Sequence, residues 1–96
     1  SGYINDMANG SICVALGWSG DINIARQRAA DGKTGQNIEA LIPKNGGLLF
    51  FDTMVIPADA AHPQNAHKFI NFILDPKNTA ALTNKVFYPN AVPGSK

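Results

Sequence analysis

Nine consecutive residues, Leu48-Leu49-Phe50-Phe51-Asp52-Thr53-Met54-Val55-Ile56, constrain this chain more than any other stretch. β-Branched and aromatic side chains dominate the run, and Gly47 and Pro57 bracket it, which predicts a strand over 48–56. In a strand Phe50, Asp52 and Met54 share one face, while Phe51, Thr53 and Val55 share the other. A carboxylate thus interrupts an apolar element. Buried without a partner, it costs several kcal/mol or surrenders its charge. Asp52 therefore requires either a structural partner (backbone amides or a nearby Arg) or a wet cleft. In the second case its carboxylate and the Phe50 ring form a receptor for an organic cation. The pattern alone leaves both readings standing.

The flanking sequence predicts a single α/β unit, which 96 residues suffice to build. Tyr3, Ile4, Met7 and Ala8 form one face of a short helix that Asn9-Gly10 ends. Ile12-Cys13-Val14-Ala15-Leu16, apolar on both faces, predicts a covered strand over 11–17 with Cys13 buried in it. Gly17-Trp18-Ser19-Gly20 breaks that strand. A helix from about Asp21 then presents Ile22, Ala25 and Ala29 on one face and Arg26 and Arg28 elsewhere, until Asp31-Gly32-Lys33-Thr34-Gly35 ends it. Residues 38–42 predict a short strand, and Lys44-Asn45-Gly46-Gly47 predicts a type I′ hairpin turn into 48–56. Pro63 opens a helix whose Ala66, Phe69, Ile70, Ile73 and Leu74 recur at the spacing that buries a stripe on a sheet. Asp75-Pro76 ends it and caps a last helix to about Lys85, with Ala81, Leu82 and Val86 inward. From Phe87 onward there is no periodicity.

Composition removes several function classes. Eight Lys+Arg against seven Asp+Glu leave a formal charge of +1. With no basic stripe, neither nucleic-acid binding nor polybasic membrane attachment has electrostatic support. The single Cys13 excludes an internal disulfide and a Cys-based zinc site. His62 and His67 have no Cys or second acidic ligand at metal spacing and read as surface residues, so no metal and no cofactor is expected. Ser11, Ser19 and Ser95 lack a nucleophile-elbow context, and Glu39 reads as solvent-facing, so no enzyme constellation can be assembled. No apolar stretch is long enough for a transmembrane helix. The start, Ser1-Gly2-Tyr3, shows no basic-then-apolar leader, which reads as a mature, tagged or excised chain.

Gly17-Trp18-Ser19-Gly20-Asp21 lies between a predicted strand and a predicted helix, where α/β proteins place ligands. It carries neither Gly-x-Gly-x-x-Gly nor Gly-Lys-Ser/Thr, and Asp21 stands where a helix N-terminus would receive an anion. Its charge suits the helix dipole and repels phosphate. Nucleotide binding drops out. What remains is an Asp stabilising its own helix, with Trp18 as core, or a second pairing of carboxylate and ring facing a cation.

Five motifs then resemble one family in order and spacing. They are Tyr-Ile-Asn-Asp-Met-Ala-Asn-Gly (3–10), Ile-Cys-Val-Ala-Leu-Gly-Trp-Ser-Gly-Asp (12–21), Ile-Pro-Lys (42–44), Phe-Phe-Asp (50–52) and Val-Phe-Tyr-Pro-Asn-Ala (86–91). The family is the bacterial putrescine/spermidine-binding proteins, periplasmic solute-binding components of polyamine ABC transporters. The resemblance covers essentially the whole chain but only a later part of such a protein. It implies a portion of a two-lobed periplasmic-binding-protein (type II) fold. Residues 1–32 would belong to one lobe, 33–47 to a hinge or crossover hairpin, 48–85 to the other lobe and 86–96 to a return segment. It also implies a polyamine ligand, with Trp18 along the methylene chain, Asp21 and Asp52 on amines, and Phe50 and Tyr88 as further walls. A periplasmic location and a membrane permease partner are implied by the same resemblance.

Asn45 departs from the family, which often has Glu after Ile-Pro-Lys, but this is a turn position. Of greater consequence, the opposite cleft wall and the flanking strands fall outside these residues. The chain alone is accordingly expected to bind polyamine poorly and to self-associate or swap segments. Two alternatives differ in class: a small protein-interaction module whose acids and rings are structural, or a solute-binding relative with another ligand, such as an amino acid or opine. An amino acid would need an Arg for its carboxylate, and Arg26 and Arg28 read as mid-helix, away from the loop.

Overall fold

Helix formation obeys the local signals closely. The computed structural model describes residues 2–95, with α1 at Gly2–Asn9, α2 at Ser19–Asp31, α3 at Pro63–Leu74 and α4 at Pro76–Val86. Helix α1 ends where Gly10 takes a φ of +82°, and the Ser11 N–H then returns 2.8 Å to the Asp6 carbonyl. Asp21 lies in the first turn of α2, where its charge complements the dipole. At the other join, the Asp75 carboxylate accepts from the Lys77 and Asn78 N–H groups at 3.0 and 3.4 Å, capping α4. Phe87, at φ +62°, ends that helix in the left-handed region.

The core is small and belongs to α1 and α2. Ile4 and Ala8 of the first pack against Ile22, Ala25 and Ala29 of the second, with Ile38 closing the cluster. Polar links fix this pair. Arg28 Nη1 donates to Asn5 Oδ1 at 2.5 Å, Thr34 Oγ1 to the Ala8 carbonyl at 2.7 Å, and Arg26 Nε to the Ile38 carbonyl at 2.9 Å. Both arginines of α2 are therefore spent on structure. Helices α3 and α4 form a second pair, whose elbow is tied by the buried Thr79 hydroxyl to the Ile73 carbonyl at 2.5 Å.

The predicted strands over 11–17, 38–42 and 48–56 do not form: among the described residues there is no strand. The α/β reading is thus not confirmed by the described residues, which form helices joined by segments without ladder partners. The cause is non-local, since a strand exists only where a neighbour accepts its ladder bonds, and none of these segments lies in register against another. The turn at 43–46 does form, with the Gly46 N–H bonding the Pro43 carbonyl at 2.9 Å. It centres on Lys44-Asn45, one residue earlier than the expected Asn-Gly turn.

Burial is corrected for the same reason. Cys13 is exposed. Helix α3 buries no residue, its Phe69 remaining 58% exposed, and Ala81, Leu82 and Val86 of α4 are also exposed. Their stripes await a sheet that these residues do not supply. The radius of gyration, 17.2 Å, exceeds the ~12–13 Å of a compact chain this long.

One long-range return brings the two ends of the chain together. Asn23 Nδ2 donates to the Phe87 carbonyl at 3.2 Å, laying the start of the tail across α2.

Candidate functional site

The site begins at the N-terminus of α2. Tyr3, on α1, donates its phenol to the Asp21 carboxylate and accepts from the Trp18 N–H at 3.3 Å. Gly17 makes room for this contact, because a Cβ there would stand 2.8 Å from the Tyr3 ring. Tyr88 arrives from the tail and donates to the other Asp21 oxygen at 3.2 Å. Its ring lies directly on Gly20, where a Cβ would come within 2.0 Å. Any side chain at position 20 would expel Tyr88. Phenols from opposite ends of the chain thus hold both oxygens of one carboxylate.

Beside this cluster Trp18 meets Phe50 edge to face, with centroids 4.9 Å apart and planes at 78°. Trp18, Phe50, Asp52 and Tyr88 line one open cleft of about 310 Å³, at the lower end of the ~300–1,000 Å³ usual for small-molecule sites. Asp52 is exposed on this cleft. The five candidate residues therefore converge, four on the cleft and Asp21 through its bond to Tyr88. No Lys, Arg or His lines the cleft. The Asp52 carboxylate and three rings present negative charge and π faces to the cleft, with the Asp21 carboxylate behind Tyr88, a set suited to a cation with an apolar part.

A second hollow, of about 240 Å³, lies at the start of α3 against residues 61–65 and contains no carboxylate. Among the described residues no three His, Cys, Asp or Glu side chains are grouped to hold a metal, and no helix is long and apolar enough to cross a membrane.

The sequence profile of bacterial extracellular solute-binding proteins matches residues 1–96. The chain belongs to that family. Membership implies a two-lobed fold for the full-length solute-binding protein. Among similar solute-binding proteins, the putrescine-binding periplasmic protein PotF of Escherichia coli K12 is 48% identical over 91 residues, 95% of this chain and 25% of that protein. The putrescine-binding periplasmic protein SpuD of Pseudomonas aeruginosa is 46% identical over 90 residues, 94% of this chain and 24% of its own length. The spermidine/putrescine-binding periplasmic protein 1 of Haemophilus influenzae is 33% identical over 87 residues, 91% of this chain and 22% of its own. The chain spans about a quarter of the length of the relatives it matches.

Two contributors to the cluster escape sequence reasoning. Periodicity accounts for Tyr3 as one more residue on the apolar face of α1, and only its hydroxyl, to which periodicity is blind, distinguishes its role. Gly20 reads as part of a helix break, whereas it is the seat of the Tyr88 ring. The motif spacing places both beside residues of interest, but nothing local links position 20 to position 88.

The phenols carry a measurable signature. Burial, then donation to Asp21, raises Tyr3 above the ordinary value of 10.0; burial, then the Coulomb field of Asp21, raises Tyr88. A group whose folded pKa is raised stabilises the fold fully below its unfolded pKa, and that contribution is lost as pH rises through the folded value. Ionising either phenol also sets two negative charges together. The α1–α2–tail cluster is therefore expected to loosen in alkali, as pH rises through the raised phenol values. Since Tyr3 and Tyr88 are the only tyrosines, ultraviolet absorbance should give a phenolate midpoint in the native chain above that in denaturant. Coincident midpoints would refute the arrangement.

Proposed function

We propose that the full-length protein containing these residues is not an enzyme but a periplasmic receptor that binds a polyamine, putrescine or spermidine, unchanged. Ligand is held in a cleft between two lobes, and closure presents it to the membrane permease of an ABC transporter. The observation that carries this reading is the convergence of Trp18, Phe50, Asp52 and Tyr88 on one cleft, with Asp21 bonded to Tyr88. Amine ends match carboxylates through charge-assisted hydrogen bonds, while the methylene chain lies against rings that add ~0.5–2 kcal/mol each by cation–π attraction. Exclusion of water on closure strengthens every charge contact. The names of the matched relatives support the same ligand class.

In this reading α1 and α2 belong to one lobe, 33–47 crosses between lobes, 48–85 lies in the other lobe, and the tail returns to the first. The bond from Asn23 to the Phe87 carbonyl supports that return. An amino-acid ligand is disfavoured, because Arg26 and Arg28 are engaged with Ile38 and Asn5.

Calorimetric titration of the full-length protein with putrescine, spermidine and a zwitterionic amino acid tests the proposal. Saturable binding of a polyamine, with none of the amino acid, is the expected result. Preference for the amino acid, or no polyamine binding, would overturn it.

A further inference from the structure

We propose that Tyr3 is a positioning residue of the ligand site, a role that rests on reading Asp21 as an amine ligand. Its hydroxyl has one proton to donate and lone pairs to accept with. The proton goes to Asp21, and a lone pair takes the Trp18 N–H at 3.3 Å. One oxygen atom on α1 therefore sets the direction of the carboxylate and the height of the loop that carries the indole. These are the group for the ligand's charge and the wall for its methylenes, and Tyr3 holds them as a unit.

The physical gain is preorganisation. A carboxylate on an exposed first turn rotates freely, and ordering it on binding would reduce affinity. Here Tyr3 and Tyr88 fix one oxygen each from opposite sides. A carboxylate has about four acceptor sites, so both oxygens keep a lone pair for an ammonium group, which carries three donors. The ligand need not displace the phenols. The edge of the Tyr3 ring and its hydroxyl both lie against Gly17, so Tyr3→Phe removes the two hydrogen bonds and the hydroxyl's own contact while retaining that of the ring.

The test is a double-mutant cycle in the full-length protein, with putrescine affinity measured by calorimetry for wild type, Tyr3→Phe, Asp21→Asn and the double variant. Thermal melts of each accompany the titrations. Tyr3→Phe is expected to weaken binding about tenfold, as loss of a hydrogen bond to a charged group does. Because Tyr3 acts in part through Asp21, the double variant should lose clearly less affinity than the two single losses added together, the remainder being the hold of Tyr3 on the Trp18 N–H. Losses that simply add would show that Tyr3 does not act through the carboxylate and would overturn the inference. So would wild-type affinity in Tyr3→Phe alongside a loss in Asp21→Asn, a result that leaves the polyamine reading intact. Unchanged affinity in both single variants would overturn the role of Tyr3 and that of Asp21 together. Asp21→Glu, which keeps the charge and moves it, supplies a second check. Its affinity should fall in wild-type Tyr3 background, and adding Tyr3→Phe should then cost less than it does with Asp21 intact.

Discussion

Asp52→Asn in the full-length protein is expected to weaken putrescine binding by about a hundredfold or more, with little change in melting temperature. The substitution preserves shape and removes charge. A hydrogen bond to a charged group contributes ~1.5–3 kcal/mol, and leaving one charge of a desolvated pair without its partner costs ~2–5 kcal/mol. A hundredfold corresponds to about 2.7 kcal/mol, inside both ranges. Folding should be nearly indifferent, because Asp52 is exposed on the cleft wall, and substitutions at such positions usually stay within about 0.5 kcal/mol. That contrast makes position 52 a cleaner probe than position 21, where the carboxylate also anchors Tyr3 and Tyr88. Putrescine affinity within about twofold of wild type, on the same scale of additivity error, would remove Asp52 from the set of amine ligands.

How much of this is legible in sequence depends on range. Helix ends are written locally: Asp75-Pro76 states a cap, Asn9-Gly10 a stop, and Ile22, Ala25 and Ala29 one buried face, and each is found. The face shared by Phe50 and Asp52 needs only the two-residue period of an extended chain, so their common cleft is visible without a sheet. Strands are a different matter. Residues 11–17 and 48–56 have strand composition, but composition cannot provide the neighbour that turns an extended segment into a ladder. The contact of Gly20 with Tyr88 joins distant parts of the chain and appears in no local pattern. The collinear motifs supply Tyr88 as a site residue, while the hydroxyl of Tyr3 becomes meaningful only once its two partners are placed around it.

The same missing neighbours lead to the second large effect: the 96-residue chain alone should associate with itself and fail to bind putrescine at micromolar concentration. Leu16 is 98% exposed and Leu48 95% exposed, and Phe51 and Val55 also stand in solvent. Helix α3, amphipathic by sequence, buries nothing. Large apolar side chains left in solvent favour association, and unpaired extended segments are templates for pairing with another copy. Exchange of segments between copies is the low-cost way to supply both missing contacts. Light scattering over a concentration series should therefore show mass rising with concentration, and a clean monomer at the highest concentration would contradict the expectation. Binding fails for a separate reason. One wall of four residues leaves a ligand half in water, where charge contacts are screened and the cost of immobilising it is not recovered. Trp18 is the chain's only tryptophan and lies on that wall, so its fluorescence reports occupancy directly. A saturable micromolar response would mean that this one wall suffices without an opposing lobe. A flat titration, with binding restored in the full-length protein, would place the affinity in closure of the cleft.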